Sequence, residues 1–303
     1  MMHQEFCDKL KTIVSADAIL VNEPMSKHTT FRIGGNADVF VSPEVSQVSD
    51  LIALAKEYEV PVTVIGNGSN LLVGDKGIRG LVLSFGKEAE AIHLEGNRMT
   101  VAAGTILAKA AAEAAKNSLT GLEFAAGIPG SFGGAIVMNA GAYGGEMKDV
   151  VISAKVLTPT GEIKELSNEE LELSYRHSCI PEEDYIVLEA TLELEPGEES
   201  AIREKMADFK NRRVEKQPLE YPSAGSTFKR PEGYFAGKLI QDANLRGYQV
   251  GGAQVSEKHC GFVINKGNAT AADVLQLIQD VKRIVYDTFQ VELEPEVKMI
   301  GEF

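Results

Sequence analysis

The sequence is poor in cysteine, in positive charge and in long apolar runs, and each shortage removes a class of protein. Three cysteines, Cys7, Cys179 and Cys260, stand far apart and in no CxxC pair. They make neither a disulfide framework nor a metal knuckle, so they read as reduced cytoplasmic thiols and no metal site is expected. Lys and Arg number 30 against 44 Asp and Glu, a net charge of −14. Such a chain gains little from counterion release and is repelled by anionic lipid, which argues against nucleic acid and membrane surfaces as partners. No run approaches the roughly 20 apolar residues of a membrane span. The N-terminus, MMHQEFCDKLKTIV, carries charge where a secretory signal has its apolar centre, so the mature chain is expected to start near Met1. Two phosphate-binding signatures are also missing. A GxGxxG motif would need a third glycine at Leu71, and GxxxxGK[ST] does not occur.

What is present is an ordinary soluble composition over 303 residues, 44% hydrophobic and 24% charged, long enough for about two domains at roughly 150 residues each. Hydrophobic spacing predicts helices over His3 to Val14, Ser46 to Tyr58, Thr105 to Asn117, Ala236 to Ala243 and Ala271 to Phe289. A further helix ends near Arg213. Thr105 is expected to cap its helix, and Thr270 with Asp273 to form a capping box. Strands are expected over Val62 to Ile65, Gly80 to Phe85, Arg98 to Ala103 and Ile186 to Leu194, with a hairpin around Pro159-Thr160-Gly161. The acidic, turn-like stretch from Glu195 to Ser200 is the best candidate boundary.

Five stretches carry the chemistry. In VIGNGSNLLV, 64 to 73, the small residues Gly66, Asn67, Gly68, Ser69 and Asn70 follow a strand directly, where backbone N–H groups can turn onto a phosphate. A tight turn is the plain alternative. AAGIPGSFGGAIVMNAGAYGGEM, 125 to 147, interleaves glycine with Ile128, Phe132, Ile136, Val137 and Met138. That suits backbone laid closely on a large flat ligand better than it suits a linker. LSYRHS, 173 to 178, supplies Arg176. SAGSTFKRP, 223 to 231, exposes the Ser226 hydroxyl beside Lys229 and Arg230, which suit an anionic substrate. In LEPEVKMIG, Glu296 follows a proline in an apolar setting; a paired surface carboxylate and an acid/base group both remain open.

In order, HTTFRIGG (28 to 35), IGNGSNLL (65 to 72), AAGIPGSFGGAIVMNAGAYG (125 to 144), YRHS (175 to 178), AGSTFK (224 to 229) and LEPEV (293 to 297) resemble the motifs of the UDP-N-acetylenolpyruvoylglucosamine reductases. The resemblance runs from about residue 24 to 301 and implies an α+β protein: a vanillyl-alcohol-oxidase-like, two-subdomain FAD-binding fold plus a C-terminal α+β substrate domain. The corresponding segments would be 1 to 75, 76 to 200 and 201 to 303. It implies non-covalent FAD held by Gly66, Asn67, Gly68, Ser69, Asn70, Gly127, Ile128, Pro129, Gly130, Ser131, Gly133, Gly134 and Asn139. NADPH would be the co-substrate and UDP-N-acetylglucosamine enolpyruvate the substrate, in a cytoplasmic step of peptidoglycan synthesis that serves cell-wall biogenesis and division. Arg176 and Glu296 would stabilise the enolate-like intermediate, and Ser226 would protonate it. Lys216, Lys229, Arg230, Tyr234, Arg246 and His259 would contact substrate, and no obligate protein partner is evident.

The chain departs from part of the family in lacking an inserted tyrosine loop after YRHS, since a strand resumes by Tyr185, so it resembles the shorter branch. His259 falls where other members can carry glutamine. Two rivals stand beside this reading. One is another FAD oxidoreductase of the same fold with a covalent histidyl flavin, although no histidine lies in the central glycine loop. The other is a nucleotide-binding regulator without turnover.

Overall fold

The computed structural model describes residues 4–303; the expected helix start at His3 lies outside them. Among the described residues the α-helices are α1 (Gln4–Leu10), α2 (Val48–Glu57), α3 (Leu107–Lys116), α4 (Phe132–Val137), α5 (Glu199–Lys216), α6 (Ala236–Asp242) and α7 (Ala271–Phe289). None is long and apolar enough to cross a membrane.

Whereas the sequence suggested three consecutive segments, the chain is compact in two units, each assembled from pieces distant in sequence. The described residues up to Val21, with Val39–Asn67 and Gly80–Arg213, form one; Asn22–Asp38, Gly68–Arg79 and Val214–Phe303 form the other. The crossings fall inside strands Ile19–Pro24, Asn36–Val41 and Ile78–Ser84, inside α5 and inside the GNGSN loop.

The first unit holds two cores. In one, Val39, Val41, Leu81 and Leu83 alternate along their strands and turn a single face onto Phe6, Leu10, Leu51 and Leu54 of α1 and α2. Those strands belong to a four-stranded sheet ordered 19–24, 36–41, 78–84, 62–65, in which the last pair is parallel. The larger core lies on an antiparallel five-stranded sheet ordered 163–167, 151–157, 186–193, 98–102, 92–95. Helix α3 packs into it because Leu107, Ala110, Ala111, Ala114 and Ala115 recur at helical spacing, and the alanines let backbone approach closely. The expected cap is corrected here. Helix α3 begins at Leu107 after Ile106, and the buried Thr105 Oγ1 bonds both the N–H and the C=O of Ala91.

In the second unit a four-stranded antiparallel sheet runs 223–226, 262–265, 253–255, 249–250, and Val274, Leu277, Ile278, Val281 and Val285 of α7 fill its core. The Thr270–Asp273 capping box is present. The carboxylate of Asp75 also accepts the N–H groups of Ala271 (2.7 Å) and Ala272 (3.0 Å), so the first turn of α7 is fully provided with acceptors. A parallel pair joins Leu71–Val73 to Lys298–Ile300.

Candidate active site

In the first unit the strand Val62–Ile65 runs straight into Gly66. A Cβ at this position would lie 1.9 Å from Ser131 Oγ, so only glycine lets the first loop sit against the second. Asn67 completes the join by donating from Nδ2 to the Pro129 carbonyl (2.6 Å). The second loop is itself fixed: the N–H groups of Phe132 and Gly133 donate to Thr105 and Ala103, and Ser131 Oγ accepts the Gly134 N–H (3.4 Å) at the start of α4. These loops border a cavity of about 220 Å³ whose wall includes Gly66, Ser131, Gly133 and Gly134 on one side and Ile180, Pro181 and Tyr185 on the other. Its lining is mainly apolar with glycine backbone, which fits the flat aromatic part of a flavin. No histidine lines it among the described residues.

The rest of the GNGSN loop belongs to the second unit. Gly68 has φ +60°, and a Cβ there would meet the His28 carbonyl at 2.0 Å, which links this loop to the HTTFRIGG motif. Asn70 donates from Nδ2 to the Glu296 carbonyl (3.2 Å). The observed partners of Asn67 and Asn70 are therefore protein groups, and both side chains tie loops in place.

Three contacts with residues outside the motifs support the second loop. Arg213, near the end of α5, packs so closely that a Cβ on Gly127 would lie 3.2 Å from its Cδ. Burial holds its guanidinium below the usual arginine range, yet the group stays protonated at any ordinary pH. Glu123 is only 3% exposed and accepts from Thr120 Oγ1 (2.6 Å) and the Gly121 N–H (2.9 Å), with Lys205 of α5 at 3.6 Å. Burial acts to raise its pKa, but those hydrogen bonds and the lysine together bring it below the usual carboxylate value. Tyr143 stacks on Phe209 of α5 at 4.5 Å. The available signal was α5 itself, a mainly polar helix in which Ile202, Met206 and Phe209 recur at helical spacing and place Arg213 on the same side.

Arg176 also lies in the first unit, at the tip of a tight turn in which Ser174 and His177 exchange N–H···O bonds of 3.2 and 3.1 Å. Its φ is +56°, and its guanidinium lies 5.2 Å from the centre of the Tyr175 ring. Asn139, expected among the cofactor contacts, is fully buried and faces this turn: its Nδ2 donates to the Ser174 carbonyl (3.0 Å) and to Glu146 (2.7 Å).

In the second unit, Ser226 ends strand Ser223–Ser226, whose register against Phe262–Asn265 shifts between Ser223 and Ser226. Gly225 at φ +76° makes that irregularity, which re-aims the serine relative to simple alternation. The next carbonyl, that of Thr227, accepts the Glu296 N–H (2.8 Å), so Ser226 and Glu296 are carried on bonded neighbouring segments. Of the expected substrate residues, Lys229 pairs with Glu294 (2.5 Å) and Arg230 lies 3.9 Å over the Phe235 ring beside the exposed Tyr234. Arg246 donates to Gln241 (2.7 Å) and to the Glu257 carbonyl. His259 Nδ1 accepts the Gly261 N–H (3.1 Å), which leaves the neutral ring its proton on Nε2. Burial first, and then the charges of Arg246 and Lys216, hold its pKa below the usual histidine value. Lys216, Arg246 and His259 are thus electrostatic neighbours, a grouping that spacing in the sequence does not show.

Residues 37–167 match the family model of an FAD binding domain. A structure of alkyldihydroxyacetonephosphate synthase, 18% identical with a TM-score of 0.51 over 65% of this chain and 41% of that one, shares the fold alone. The class so defined is an α+β protein built on an FAD-binding domain. Residues 217–300 match the model of the UDP-N-acetylenolpyruvoylglucosamine reductase C-terminal domain. A UDP-N-acetylenolpyruvoylglucosamine reductase of Agathobacter rectalis is 60% identical, with all of both chains covered. The crystal structure of the Thermus caldophilus reductase, 34% identical, superposes with a TM-score of 0.79 over 93% of this chain and 98% of its own. The chain belongs to the UDP-N-acetylenolpyruvoylglucosamine reductases.

Proposed function

We propose that this chain reduces the enolpyruvyl ether of UDP-N-acetylglucosamine to UDP-N-acetylmuramate with NADPH as donor, a cytoplasmic step of peptidoglycan precursor synthesis. The observation that carries the reading is the pairing of a hydroxyl acid with a carboxylate. Ser226 and Glu296 sit on segments joined by the Glu296 N–H to Thr227 C=O bond, in a chain whose FAD-binding portion supplies the glycine loops. Bound FAD supplies a carrier for one hydride, taken from NADPH and given up to the vinyl carbon C3.

The protein's own groups handle everything else. Gly66, Asn67, Gly130 and Ser131 would offer backbone N–H groups to the cofactor's pyrophosphate, while Pro129 has none and the Ile128 N–H is taken by Ala125, and Arg213 against Gly127 would offset its charge. Hydride addition at C3 leaves an electron pair on C2, delocalised onto the adjacent carboxylate. Arg176 and Glu296 stabilise or polarise that charge, and the Ser226 hydroxyl donates a proton to C2. A serine is a weak acid, adequate here because the acceptor carbon is strongly basic. Net, the double bond gains one hydride and one proton and NADPH becomes NADP⁺. Lys216, Arg246, Lys229, Arg230 and Tyr234 contact the diphosphate and sugar, with His259 as a neutral Nε2 donor among them.

The reading is tested by absorbance. The purified protein should be yellow, release FAD on denaturation, and oxidise NADPH only when the enolpyruvyl sugar nucleotide is added. Colourless protein that takes up no added FAD, or NADPH oxidation indifferent to the sugar, would overturn it.

A further inference from the structure

Asn139 uses its whole amide. One Nδ2 hydrogen goes to the Ser174 carbonyl (3.0 Å) and the other to Glu146 Oε2 (2.7 Å), while Oδ1 accepts the Lys148 N–H (2.9 Å). The orientation of the amide is fixed, because a flipped group would set its oxygen against a carbonyl and a carboxylate. No other side chain of this size supplies two donors and one acceptor. Two residues before it, at the end of α4, the Val137 carbonyl accepts a second tie from the buried Ser178 Oγ (2.8 Å). The two bonds land on Ser174 and Ser178, one on each side of Arg176. That arginine is in the left-handed backbone region, a setting that persists only where its surroundings hold it.

Helix α4 begins at the other end in the glycine loop that walls the cavity, and Ile180 and Pro181, just past Ser178, form part of the opposite wall. We infer that Asn139 is a positioning residue: from the end of the glycine-loop helix it sets the Arg176 turn, so that the cofactor loop and the arginine are held in one frame. This rests on the role proposed for Arg176. The side chain acts through that arginine, not on the cofactor.

The test separates the two half-reactions in holoenzyme. Asn139→Ala should retain FAD and accept electrons from NADPH within about 3-fold of wild type. Anaerobic reoxidation of its reduced flavin by the enolpyruvyl sugar nucleotide should slow by about 10- to 10²-fold, the scale of a small misplacement of a reacting group. Arg176→Lys should slow the same step by about 10²-fold. In the double variant, Asn139→Ala should then add less than about 3-fold, because its effect passes through the arginine already altered. If Asn139→Ala poorly populates the fold, Ser178→Ala removes the other tie and should show a smaller loss with the same non-additivity.

An equal loss from Asn139→Ala in both Arg176 backgrounds would overturn the inference, as would parallel loss of FAD and of both half-reactions. An Arg176→Lys enzyme with unchanged reoxidation would instead overturn the role of Arg176 itself, and with it the basis of this inference.

Discussion

The two units hold their functional groups in different ways. In the first, short side chains bond backbone carbonyls across the loops: the buried Ser178 to Val137 and the buried Asn139 to Ser174, with the exposed Asn67 to Pro129 beside them. In the second, Ser226 ends a strand ladder and Glu296 is bonded to the Thr227 carbonyl next to it, while the expected substrate cations are long side chains on ion pairs and aromatic faces. Buried polar ties fix a geometry because breaking one strands a group without water. Exposed pairs are weak and exchange partners readily. The difference suits the two tasks proposed above, since a cofactor loop and an arginine in the role proposed for Arg176 would need one fixed geometry, whereas the side chains proposed for the diphosphate would have to release their resting partners to take the substrate.

Breaking a support in the first unit should therefore matter more than breaking one in the second. Glu123→Gln would keep one oxygen for the Gly121 N–H but turn its NH2 toward the Thr120 hydroxyl, forcing that hydroxyl to accept, and would lose the charge that the hydrogen bonds and Lys205 favour, destabilising the fold by about 1–3 kcal/mol. The effect has a pH signature. The Glu123 carboxyl is held below its unfolded value of roughly 4.3, so the unfolded state binds more protons between the two values. Its contribution is present above that unfolded value and lost as pH falls through the folded one, so the wild-type advantage in denaturation midpoint should shrink below about pH 4. An advantage independent of pH would remove the carboxylate from the account. In the second unit, Glu294→Gln breaks the pair with Lys229, whose side chain is 28% exposed against 68% for the glutamate. Denaturant titration should show a change under about 1 kcal/mol. A loss as large as that of Glu123→Gln would erase the contrast between the units.

Much of the scaffold was legible in local pattern. Helix α7 runs over the expected Ala271–Phe289 with its capping box, because periodicity, cap and length agree there. The hairpin around Pro159-Thr160-Gly161 follows from turn residues between alternating strands. Thr105 shows where the pattern misleads. Its hydroxyl has the chemistry of a cap, but the side chain is buried and the backbone of Ala91 outcompetes the helix end. The site was legible as motifs, since glycine loops and the YRHS and AGSTFK stretches announce themselves by composition. The supports were not. Glu123, Arg213 and the true partners of Asn139 depend on contacts between distant segments, and a single charged or amide residue in a loop looks the same whether it faces water or a carbonyl. The units escaped notice for the same reason, as each is built from three stretches joined only in space.

The central claim is that the second unit supplies the proton while the first holds cofactor and arginine, and anaerobic stopped-flow absorbance of Ser226→Ala tests it most directly. FAD reduction by NADPH should stay close to wild type, and reoxidation by saturating enolpyruvyl sugar nucleotide should fall by about 10²- to 10⁴-fold, with Ser226→Cys recovering part of the loss. Wild-type reoxidation in a well-folded, saturated Ser226→Ala enzyme would contradict the account.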